Sequence, residues 1–147
     1  MSVQYPTFGE LEKSQAPDTE NAVVAIAVTT ADQSLGAKNI TVAIPDGATI
    51  MSVIAMARIN IMNNTANAQK FDLQFDVEGV TLYEQDDVVG VGGVDGESIV
   101  FVIAEDATGE VTADGQVVTL EAFVTLSAAQ SVRFQAQYYL FIVYRMG

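Results

Sequence analysis

The sequence predicts an all-β fold, an antiparallel two-sheet sandwich of the jelly-roll or Greek-key kind, with about eight strands behind an N-terminal arm. Three observations carry this expectation. From residue 22 onward, short runs rich in Val, Ile, Thr, Phe and Tyr are separated by Gly, Asp and Asn. Several of these runs alternate apolar and polar residues with a period of two. No long amphipathic helical pattern interrupts them. A chain of 147 residues suits one hydrophobic core, so the expected organisation is an arm over 1–21 and one β-sandwich domain over 22–147.

The arm differs from the rest in composition. It holds Pro6 and Pro17, the acids Glu10, Glu12, Asp18 and Glu20, and little apolar alternation. Within it Thr7 precedes Glu10 by three positions and Leu11 follows, the spacing of a capping box that opens a short helical turn.

Strands are expected over 22–29, 39–44, 50–62, 69–77, 80–83, 98–104, 117–126 and 132–144. Ile40, Val42 and Ile44 alternate with polar neighbours, as do Phe71, Leu73 and Phe75, so each of these strands turns one face to the core. In the 50–62 strand Met51, Val53, Ala55, Ala57, Ile59 and Ile61 form the expected buried face. Its other face holds Ser52, Ile54, Arg58 and Asn60 and is half apolar, which calls for a cover from another strand, the arm or another subunit. Arg58 is the sole charge in that strand and is expected to pair with a carboxylate. The last strand has one polar face in its first half and is apolar on both faces in its second. Turn chemistry marks the boundaries at Pro45-Asp46-Gly47 and Asp114-Gly115.

Composition excludes several classes of function. Nineteen acids against six bases, a net charge of -13, repel a phosphate backbone, so no nucleic-acid partner is expected. The chain has no histidine and no cysteine. Serine-histidine triads, thiol nucleophiles and zinc-thiolate centres are therefore absent, and no enzyme activity, cofactor or metal is expected. The longest apolar runs, 23–28, 99–104 and 138–144, fall far short of the roughly 20 residues of a membrane helix, so no membrane partner is expected either.

The remaining motifs have ordinary readings. The segment 90–96 is glycine-rich, but its third glycine misses a dinucleotide fingerprint by one position, and a strand follows where that motif needs a helix. Acids cluster at Glu84, Asp86 and Asp87, at Asp95 and Glu97, and at Glu105, Asp106, Glu110 and Asp114, all expected in loops. They supply oxygen ligands of the kind calcium takes, without any fixed ligand spacing. Tyr138, Tyr139, Phe141 and Tyr144 close the chain near Arg133 and Arg145, suiting a buried strand first and a stacking or subunit contact second.

An acidic sandwich with an N-terminal arm, no cysteine or histidine, and long apolar strands flanked by Gly, Asp, Asn and Thr loops resembles a tailed-bacteriophage capsid decoration, or cement, protein. The resemblance implies a structural protein on the virion exterior. It would clamp neighbouring subunits of the major capsid protein, commonly as a homotrimer. Tyr5, Pro6, Phe8 and Leu11 of the arm are then its strap, and Arg58 marks a covered sheet face. Two other readings stand beside it: a calcium-assisted carbohydrate-binding module, and a different self-assembling subunit of a tail, fibre base or surface layer.

Overall fold

The computed structural model describes residues 7–14, 24–26, 33–63, 70–89, 98–126 and 132–146. Ten strands appear among them: β1 (Thr7–Ser14), β2 (Val24–Ile26), β3 (Gln33–Ser34), β4 (Lys38–Thr41), β5 (Thr49–Asn63), β6 (Lys70–Val77), β7 (Val80–Val89), β8 (Ser98–Asp106), β9 (Val117–Leu126) and β10 (Val132–Met146). All eight expected strands are present. The additions are β3, two residues long, and β1, inside the expected arm. The capping box at Thr7 does not open a helical turn. Thr7 to Ser14 instead pair with Met146 to Tyr139 along one edge of β10, where a full antiparallel ladder satisfies more backbone groups than one isolated turn can.

Every pairing is antiparallel, in two sheets. Sheet A has the order β1-β10-β5-β8, with β2 sharing β10's edge beside β1. Sheet B has the order β3-β9-β6-β7, with β4 sharing β9's edge beside β3. Counting β1 with β2 and β3 with β4 as single positions leaves eight. Only β6 and β7 are then consecutive neighbours within a sheet, and every other connection crosses between sheets. This is the winding of a jelly roll.

The β6–β7 hairpin shows why one turn stays within a sheet. Glu78 and Gly79 bridge the strands with φ of 53° and 74°, the two positive values a tight two-residue hairpin requires. Glycine bears this freely. Glu78 is held there because its N–H donates to Thr119 O at 2.9 Å, while its Oε1 accepts from Thr119 N at 2.6 Å. The turn is thereby tied to β9. The two turns expected from the sequence also form, with Ala48 N donating to Pro45 O at 3.1 Å and Gln116 N to Ala113 O at 3.3 Å.

Inward residues of both sheets make one core. Sheet A supplies Val53, Ala55, Ala57, Ile59 and Ile61 from β5 and Phe134, Ala136, Tyr138, Leu140 and Ile142 from β10. Sheet B answers with Phe71, Leu73, Phe75 and Val77 from β6 and Val118, Leu120, Ala122 and Val124 from β9. Small and large residues interlock: Tyr138 lies opposite Ala57 and Leu140 opposite Ala55. Phe71 meets Phe134 edge-on at 5.7 Å, and Phe75 stacks on Tyr138 at 6.1 Å, so both aromatic contacts join the sheets.

One residue of the expected core lies elsewhere. Met51 is 43% exposed, because the register of β5 against β10 steps from Ser52↔Val143 to Ile50↔Tyr144 and leaves Met51 as the extra residue of a bulge. The bulge breaks the alternation on which its burial was expected, and Ile50 packs against the core in its place.

Tyr138 repairs a gap in sheet B. Between β3 and β4 the chain leaves β9's edge at Gly36, whose φ is 97°. Leu35 N still donates to Ala122 O at 2.8 Å, but Ala122 N donates to Tyr138 Oη at 2.9 Å, and that hydroxyl donates to Gly36 O at 2.7 Å. A hydroxyl from sheet A thus stands in for a missing rung of sheet B.

Candidate assembly surface

The outer face of sheet A mixes apolar and polar residues. Cross-strand register sets Met56, Arg58 and Asn60 of β5 between Ala104, Val102 and Val100 of β8 on one side and Tyr139, Gln137 and Gln135 of β10 on the other. Ile54 and Phe141 extend the same face. Val100, Val102 and Ile54 are 51%, 52% and 39% exposed. Val102 lies opposite Arg58, Val100 opposite Asn60 and Ile54 opposite Asp106, so half-exposed apolar residues share this face with polar ones. The half-apolar face expected around Arg58 is therefore present, and β8 enlarges it.

Arg58 sits at the centre, and its partner corrects the expectation. Its Nη1 donates to Gln137 Oε1 at 3.1 Å, because the register places Gln137 on one side of it and Val102 on the other. The partner supplied by the described residues is thus a carboxamide and not a carboxylate. Tyr139 Oη also reaches Gln137 Oε1, at 3.5 Å, and Tyr139 stacks on Phe141 at 6.2 Å with ring planes 13° apart. The aromatics at the end of the chain divide by alternation, as the sequence implied: Tyr138 in the core, Tyr139 and Phe141 on the outer face.

Of the four residues expected to form a strap, two are placed. Phe8 and Leu11 lie in β1, in register with Arg145 and Ile142 of β10. Tyr5 and Pro6 lie outside the described residues.

The acidic clusters are not all loops. Glu84, Asp86 and Asp87 belong to β7, which runs to Val89, beyond the expected end at residue 83. Glu105 and Asp106 end β8, and Glu110 and Asp114 lie in the connection to β9. Asp95 and Glu97 fall outside the described residues. Among the described residues no group of three or more acids could hold a metal ion. Asp106 Oδ1 accepts both the Oγ–H and, at 2.9 Å, the N–H of Thr108, and these bonds hold its carboxyl below the usual range. Burial, and then the Glu105 carboxylate, push the Tyr83 phenol up.

A cleft of about 470 Å³ opens at one end of the sandwich, between the β4–β5 and β8–β9 connections. Asp114 Oδ1 braces it by accepting Ile44 N at 2.9 Å. Pro45, Thr49, Thr108 and Val111 are among its lining residues, and no aromatic ring there offers a sugar a stacking surface.

No protein-family model matches the sequence, and no curated protein matches it. Among solved structures, the chain is similar to infectious bursal virus-derived T=1 particles, with a TM-score of 0.51 at 10% identity over 95% of this chain and 36% of that one. It is also similar to the VP2 subviral particle of infectious bursal disease virus, with a TM-score of 0.48 at 13% identity over 95% and 37%. A third similar structure is dimeric latent PorU from Porphyromonas gingivalis, with a TM-score of 0.44 at 6% identity over 99% of this chain and 13% of that one. The chain thus spans little more than a third of the viral proteins' length. At 10% identity the shared property is the fold, a two-sheet jelly roll.

Proposed function

We propose that this chain is a structural, non-catalytic virion protein that decorates the outside of an icosahedral capsid and bridges its subunits. The observation that carries the reading is the half-apolar outer face of sheet A, with Val100 and Val102 half exposed on a chain of net charge -13. A strongly acidic protein keeps most of its surface solvated and self-repelling. A half-apolar sheet face is where it can meet a partner. The jelly-roll fold shared with a particle-forming viral protein agrees with this reading, at the level of fold.

Within this reading residues 1–21 are the arm, β1 is the part of it docked on β10, and Tyr5, Pro6, Phe8 and Leu11 are its contacts. The major capsid protein is the partner, and copies also associate with one another. The resemblance implies three of them, whereas the charge pattern along the β8 edge of sheet A favours two.

The test is cosedimentation of the purified chain with tailed-phage capsids, wild type beside Ile54→Lys, in calcium and in chelator. Saturable binding in both buffers that Ile54→Lys abolishes is the expected result. A chain that ignores capsids and is stabilised by calcium overturns the reading and moves the function to the acidic residues. Full occupancy after deletion of residues 1–21 removes the arm from it.

A further inference from the structure

β8 is the last strand of sheet A, and among the described residues no strand pairs with its outer edge. The peptide groups along that edge must find water or another strand. From Ser98 to Ala104 the strand carries no charge. It keeps unbroken register with β5 from Ser98 to Asp106. An edge that is long, regular, uncharged and half exposed is a template for a further strand.

The charge pattern of β8 sets the direction in which a second copy can pair with it. Its only acids, Glu105 and Asp106, stand together at its end. Against a parallel copy they would lie side by side. Against an antiparallel copy they lie at opposite ends, facing the other copy's Ile99 and Ser98, with Glu97 one residue outside the paired span. Full overlap of the nine residues Ser98–Asp106 places the two-fold axis at Val102. It pairs Ser98 with Asp106 of the partner subunit and Val100 with Ala104 of the partner subunit. The two acid pairs are then on the order of 25 Å apart, at ~3.4 Å per residue.

We propose that two copies of this chain associate by antiparallel pairing of β8 with β8, centred on Val102, to form a two-fold dimer. Such a contact uses the same surface on both copies and closes after two. It joins the two A sheets into one and sets Val102 of each copy beside Val102 of the partner subunit. It stands whether or not a capsid is the further partner.

The chain has no cysteine, so Val102→Cys introduces a single thiol on the proposed axis. Facing residues of an antiparallel pair have Cα atoms about 4.5–5.5 Å apart, inside the range a disulfide spans. Val100→Cys thiols would lie four residues out of register, about 13 Å apart along the strands. Light scattering is expected to give the wild type a mass twice that of one chain. Val102→Cys is expected to cross-link on mild oxidation while Val100→Cys does not. Val102→Lys is expected to be a monomer with an unchanged far-UV circular dichroism spectrum. A wild type that is monomeric or trimeric at every concentration, or Val100→Cys cross-linking as readily as Val102→Cys, overturns the proposal. A dimer that ignores capsids leaves this proposal standing and removes the capsid reading; a monomer that binds capsids does the reverse.

Discussion

β7 and β8 occupy equivalent places, each the last strand of its sheet on the same side of the sandwich, yet their edges are built in opposite ways. Against β6, β7 shifts register twice, between Phe71 and Leu73 and between Phe75 and Asp76. Its middle carries Glu84, Asp86 and Asp87. Bulges bend an edge out of line and charges repel an incoming strand, two devices by which sheets avoid adding strands. β8 has neither over its first seven residues. Tyr83 and Phe101, with ring centroids 6.5 Å apart, hold the two strands together, so one side of the molecule presents a guarded edge beside an open one. The contrast teaches that the open edge is a local property of β8 and not a general weakness of the fold.

The strongest way to break this contrast is to strip β7 of its charge. Glu84→Val with Asp86→Val, both at exposed positions, is expected to turn β7 into a second open edge. Two open edges on one molecule allow chains of contacts that do not close, so the variant is expected to form large aggregates at concentrations where the wild type stays small. Sizing by light scattering over a dilution series reads this directly. If the double variant keeps the wild-type mass, the two register shifts alone guard the edge and the acids serve only solubility.

The contrast between the two edges was only half legible in the sequence. Strand runs and their alternation were readable, because Phe71, Leu73 and Phe75, like Val53 to Ile61, follow period two wherever one face is buried. The half-apolar face around Arg58 could be read from β5 alone. That β8 is an edge could not, since strand order depends on pairings distant in sequence. The acids of β7 read as a loop because Asp and Glu have poor strand propensity, yet an edge strand is where a sheet tolerates them. The bulge at Met51 and the Gln137 partner of Arg58 have the same cause: both follow from cross-strand register, which no single strand encodes.

A smaller effect sharpens the comparison on the far side of the molecule. There neither central strand is left open, because β1 and β2 share β10's edge while β3 and β4 share β9's. The gap between β3 and β4 is closed by Tyr138. Tyr138→Phe keeps the stack on Phe75 but leaves Ala122 N and Gly36 O without the hydroxyl between them. The expected cost is about 1–3 kcal/mol, that of removing a partner from buried polar groups. A urea midpoint that falls with an unchanged m-value checks it. Oligomeric state is expected to stay as in the wild type, since this repair lies away from β8.

The smallest effect concerns how β8 ends. After Asp106 the chain makes one more backbone bond to β5, Ala107 N donating to Val53 O at 2.8 Å, and Thr108 then takes over, its Oγ accepting Val53 N at 3.0 Å while its own hydroxyl and N–H donate to Asp106. The carboxylate therefore orders the residue that replaces the strand's last rung. Its folded-state pKa is depressed by these bonds. The stability it contributes is accordingly present above the unfolded carboxylate pKa and lost as pH falls through the folded one. Asp106→Asn is expected to be slightly less stable than wild type near neutrality, with the gap closing on acidification. Thermal midpoints of the two proteins, measured from neutral to acid pH, test this. A gap that stays constant or widens in acid would show that the carboxylate's charge has no part in ending β8, and that the Asp106–Thr108 turn holds by its neutral hydrogen bonds alone.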